Sequence, residues 1–158
     1  MLINKNNKKG FTLIELLVVV AVLIIMASFV FPVFANMQGS TYLIDAKDES
    51  IQLLRMAQNF SCNGKDGINH GVYFDHNVNG NDRMIIFSGD SYALRDTTKD
   101  IETIFEGGVE ITDTFNNNQI LFLKNSCLAD QSGILNINSD TLNRNINISI
   151  NSLGVISE

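Results

Sequence analysis

The chain has 158 residues, a net charge of −6, 45% hydrophobic and 18% charged residues, enough for one domain and an anchor. A chain so acidic, with few basic clusters, is a poor partner for phosphate backbones, which argues against nonspecific nucleic-acid binding. It also lacks G-x-S-x-G, H-E-x-x-H, P-loop and G-x-G-x-x-G signatures, so no catalytic activity is expected.

The first ten residues, MLINKNNKKG, carry Lys5, Lys8 and Lys9 and no acid, and their removal would leave a net charge of −9. Phe11 to Phe34 then holds a single charge, Glu15, in a run long enough to cross a bilayer as a helix. The basic flank keeps the N-terminus cytoplasmic and sends the rest of the chain outward. A secretory signal peptide is a poor fit, because the apolar run is too long and FVFPVFANMQGS is a weak cleavage site. A plain signal anchor fits length and charge but has no use for an acid at the fifth apolar position. A carboxylate in a membrane helix costs roughly 3 kcal/mol on insertion scales and points to a function with a partner. Two readings of Glu15 stand on physics alone. It snorkels to the interface, one turn from the lysines, or it meets the α-amino group freed on a neighbouring chain by cleavage between Gly10 and Phe11.

The string KKGFTLIELLVVVAVL resembles the class III signal of type IV prepilins and pseudopilins. The resemblance implies that a prepilin peptidase cuts after Gly10 and methylates the amine of Phe11. It also implies that Phe11 and Glu15 set the stagger between subunits, and that Pro32 kinks or melts the anchor helix. Implied partners are other pilin or pseudopilin subunits, the prepilin peptidase, an inner-membrane assembly platform and membrane lipid. The implied location is the bacterial inner membrane, single-pass with the head extracytoplasmic, and then a filament.

Pro32 is expected to end or bend the membrane helix, and Gly39 is a second soft point. From Thr41 a new stripe appears: Leu43, Ala46, Ser50, Leu53, Ala57 and Phe60 recur at steps of three and four, widened by Ile44, Ile51 and Leu54. That predicts an amphipathic helix packed on its own domain, stopping near Phe60, where SCNGKDG supplies turn chemistry. Beyond Gly71 the period changes. GVYFD, RMIIFSG, SYALR, IETIF, VEIT, QILFLK, GILNI, INISI and GVI read as short strands between Gly, Asn and Asp clusters, in one sheet or two. The predicted architecture is α+β: a leader at 1–10, a membrane or filament-core helix at 11–35, an amphipathic helix at 36–60, and an antiparallel β-rich head at 61–158.

Cys62 and Cys127 either pair, which in an exported head would contribute roughly 3–5 kcal/mol, or remain two buried thiols. Asp75, Asn77, Asn79 and Gly80 spell D-x-N-x-N-G, the first half of a calcium loop. Ile86 stands where the bidentate Glu belongs, so Asp82, Asp66 or Asp90 would have to serve. The competing reading is a hairpin connection, for which Asn-Gly is favoured. His70 and His76 flank GVYFD and lie too far apart along a strand to share a site. Ser126 beside Cys127 reads as loop.

The order of Cys62, GVYFDHNVNGND and INISINSLGVI resembles the GspH/FimT branch of pseudopilins and minor pilins. Some FimT-like proteins resemble DNA receptors with a C-terminal G-R-x-R. Here Gly154, Val155, Ile156 and Ser157 stand in that place, so DNA is not an expected partner. The expected function is thus a non-catalytic minor pilin or pseudopilin. The rivals are a tip module binding DNA or a surface ligand, and an anchored protein that never polymerises.

Overall fold

The computed structural model describes residues 10–78, 81–139 and 142–158. The leader lysines, Asn79 and Gly80 lie outside these residues. The chain divides into two compact units, Met1–Met37 and Gln38–Glu158. One long helix, α1 (Leu13–Cys62), contributes to both.

In the first unit, Leu13–Phe31 has a mean hydropathy of 3.0 over 19 residues, or about 28 Å of helix against a hydrocarbon core of about 30 Å. Leu13, Leu17, Ile24 and Phe29 are all exposed, so the apolar surface is not confined to one face. A helix apolar on every side needs an apolar solvent or a partner. Of the two outcomes expected at Pro32, an end or a bend, the helix does not end there: the backbone is helical through it. Proline removes one donor and crowds one carbonyl, which a long helix can absorb.

In the second unit, Leu43, Ala46, Ser50, Leu53, Leu54 and Ala57 turn inward from α1, as the stripe predicts. Ile44 does not; it is 46% exposed, one position out of phase with Leu43. The helix runs two residues past Phe60, and Gly64 at φ +62° then turns the chain away.

Eight strands follow. β1 (His70–Val78), β2 (Asn81–Ser88), β3 (Ile101–Phe105) and β5 (Gln119–Phe122) form one antiparallel sheet, in the order β3-β2-β1-β5. β4 (Val109–Asp113), β6 (Gly133–Ser139), β7 (Arg144–Ile150) and β8 (Ile156–Ser157) form the other, in the order β4-β6-β7-β8. The architecture is α+β. Period-two alternation sends Val72, Phe74, Met84, Ile86, Ile120 and Phe122 of the first sheet into one core. Ile111, Leu135, Ile137, Ile148 and Ile150 of the second sheet join the same core, together with the inward residues of α1.

SYALR was expected as a strand and is not one: Tyr92–Leu94 forms a 3-10 turn. The Tyr92 ring stacks on Tyr73 at 3.7 Å and meets Phe87 edge-on at 5.8 Å, with the Arg95 guanidinium 3.6 Å from its centre. The segment therefore lies over the far face of the first sheet, where Ile85 and Phe87 would otherwise be wet. That burial outweighs the strand propensity of the run.

Candidate functional site

The N-terminal site is built on the first turn of α1. Gly10 and Phe11 precede the helix, and Phe11 is 81% exposed. Thr12 is its N-cap: the Thr12 Oγ1 accepts the Glu15 N–H at 3.3 Å, and the Thr12 carbonyl accepts the Leu16 N–H at 3.2 Å. Thr12 and Glu15 thus stand in the T-x-x-E spacing of a capping box. Sequence reasoning treated Glu15 only as a charge in an apolar run and missed this, although the spacing itself was the signal. A carboxylate three residues into a helix also sits at the positive end of the macrodipole. The local chemistry is an exposed Gly-Phe bond just outside the helix, followed within one turn by an acid on a helix with no other charge before Asp45. Pro32, the remaining candidate for assembly, lies on the same helix, five residues short of the unit boundary.

At the other end of α1 the structure joins Cys62 to Cys127 through a disulfide, with Cα atoms 4.8 Å apart. Gln58 supports this junction, its amide donating to the carbonyls of Cys127 at 2.9 Å and Gly154 at 2.7 Å. Gly154, at φ +77°, has no room for a side chain, since a Cβ would strike the Cys127 carbonyl. Gly154 closes a tight turn, its N–H donating to the Asn151 carbonyl at 2.9 Å, and the segment Gly154 to Ser157, where the DNA-receptor arginines would lie, runs from that turn into the short strand β8.

The carboxylates of the calcium candidate point apart. Asp75 accepts two hydrogen bonds from the Arg83 guanidinium at 2.6 and 2.7 Å, and Arg83 also donates to Glu102 at 2.7 Å. Asp82, the residue before Arg83 on β2, faces the opposite side of the sheet and accepts the Ile111 N–H of β4. Asn79 and the Asn77 side chain lie outside the described residues. Among the described residues, no group of three His, Cys, Asp or Glu side chains converges in a way that would hold a metal ion.

The two histidines are separate. His76 meets Asp113 at 2.9 Å, tying β1 to β4 across the two sheets, and Asp113 also accepts the Phe115 N–H. His70 is 1% exposed, edge-on to Phe60 at 5.5 Å, and neither ring nitrogen completes a hydrogen bond among the described residues. Burial and then the Lys65 charge push its pKa down, against an opposing pull from Asp66 and the Ile68 carbonyl. Asp66 itself is held low by its hydrogen bond and ion pair with Lys99, 3.1 Å away.

Residues 5–31 match the family model of the prokaryotic N-terminal methylation motif. The chain thus carries a type IV pilin-like N-terminal signal, of the kind a prepilin peptidase reads, on an apolar helix long enough to cross a membrane. No curated protein and no solved structure matches the chain.

Proposed function

We propose that this chain is a structural minor pilin or pseudopilin of the GspH/FimT branch, a subunit of a type IV pilus, type II secretion or competence filament. Cleavage between Gly10 and Phe11 frees the phenylalanine amine, which is then methylated. The amine of one subunit meets Glu15 of its neighbour and fixes their stagger, while the apolar helix packs into the filament core. Before assembly the chain sits in the inner membrane with its head outside, held ready for an assembly platform. Its role is assembly rather than chemistry on a substrate, and it needs no cofactor; a calcium ion at the β1–β2 turn is not required.

The observation that carries this reading is the one acid in the apolar helix, five residues after Gly10, inside the matched motif. Mass spectrometry of the N-terminus from producing cells tests it. The expected species begins with N-methylated Phe11. A chain retaining Met1, or cut elsewhere, would identify an ordinary anchored protein and overturn the subunit role.

A further inference from the structure

The outward face of the second sheet carries side chains quite unlike those of its buried face. Cross-strand register places Thr112, Asn136 and Asn147 in one row and Glu110, Asn138 and Asn145 in the next. Neighbouring rows are two residues apart along each strand and neighbouring strands about 4.8 Å apart, so the amides form a regular grid. At its β6–β7 end the surface sinks into an open cavity of about 510 Å³, lined by Glu110, Thr112, Asn136, Asn138, Arg144 and Asn145.

The chemistry of the lining selects a ligand class. Elsewhere in the head, Arg83 and Arg95 each engage carboxylates at under 3 Å. Arg144 and Glu110, although they line one cavity, make no ion pair with each other among the described residues. The amides of Asn136 and Asn145 each offer two donors and a two-lone-pair acceptor, and the Thr112 hydroxyl both donates and accepts. A phosphate or other polyanion would meet one cation beside Glu110 on a chain of net charge −6. Among the described residues a cation would find one carboxylate, and an apolar segment no apolar side chain, in the lining. A neutral polyhydroxylated ligand matches: adjacent hydroxyls can donate to and accept from the same amide, with Arg144 and Glu110 gripping either flank.

We infer that the amide face of β4, β6 and β7 is a binding site for a neutral glycan. Among the described residues no aromatic ring lines the cavity for a sugar to stack on, so affinity at one site is weak, of order 1 mM. Repetition of the head along a polymer would raise it through multivalency. The inference stands on the head alone. Its failure would leave the processing test untouched, and an unprocessed N-terminus would leave this site intact.

The test uses the full-length chain in lipid nanodiscs and saturation-transfer NMR with cellotetraose, chitotetraose and mannotetraose, beside heparin tetrasaccharide and inorganic phosphate. At least one neutral oligosaccharide should show transfer, and Asn136→Ala with Asn145→Ala should weaken it by about fivefold or more. Should the pair disturb folding, Asn145→Ala alone and Thr112→Val, both at exposed positions, give the same reading. Absence of transfer from every neutral oligosaccharide at about 5 mM would overturn the assignment. So would binding confined to the anions, or undiminished binding by the folded variants.

Discussion

His70 sits where a proton is unwelcome: a nearly sealed ring, both nitrogens without a hydrogen-bond partner among the described residues, with Lys65 and Lys99 as neighbouring charges. Its native pKa is lowered, so between about pH 6.5 and that lowered value the unfolded chain binds a proton that the native head refuses. Stability therefore falls as pH falls through this window. The carboxylates of Asp66 and Asp96, whose pKa values are also lowered, act separately, because their contribution is lost only below about pH 4. The urea midpoint of the head should drop from pH 7 to pH 5 in the parent chain and stay nearly level in His70→Leu. An equal drop in both would show that His70 is not the titrating group. At Glu15 two roles coincide, and substitution can part them. Glu15→Ala removes charge and any capping contribution, while Glu15→Gln keeps a capping-competent side chain without the charge. If the carboxylate answers the Phe11 amine of a neighbour, both variants should fail to enter filaments while the head unfolds as before. Normal incorporation of Glu15→Gln would assign the residue to helix capping alone.

At the scale of elements, the buried stripe of α1 was readable because its period is enforced by burial, yet its edges were not. Leu54 and Ile44 were read alike as widening the stripe, and the fold buries one completely and leaves the other exposed. Only the position of the sheets against the helix decides which side is widened. Leu54→Ala should therefore cost about 2–5 kcal/mol of head stability, and Ile44→Ala less than about 0.5 kcal/mol, measurable by denaturant titration. The strand runs were mostly legible from alternation and their Asn and Gly punctuation. SYALR misled because its aromatic and leucine suit a strand equally well, and the stacking of Tyr92 on Tyr73 is invisible in one segment. The capping spacing of Thr12 and Glu15 was legible and overlooked. The cysteines lacked only a distance, and the fold supplies 4.8 Å between Cα atoms across a separation of 65 residues. Replacing both by serine should lower head stability by roughly 4 kcal/mol on the chain-entropy account. A loss much below that would mean the unfolded chain is already compact around this loop.

For the molecule as a whole, the decisive feature is that the hydrophobic core of the head is assembled from residues of one unit. Every member of the hydrophobic core, from Leu43 to Ile150, belongs to Gln38–Glu158. Both sheets, the disulfide, and the Asp113 and Asp82 contacts between sheets lie in the same unit. The large apolar side chains described between Phe11 and Phe34 are exposed, and so contribute burial only when lipid or other subunits surround them. A chain beginning at Gln38 should consequently fold in water with its disulfide formed and unfold at nearly the same midpoint as the full-length protein in nanodiscs. It should also be monomeric by sedimentation, because the surface proposed to polymerise has gone. If instead this fragment were molten or aggregated, the membrane segment would have to template the head. The division between an anchor that assembles and a head that folds alone would then be wrong.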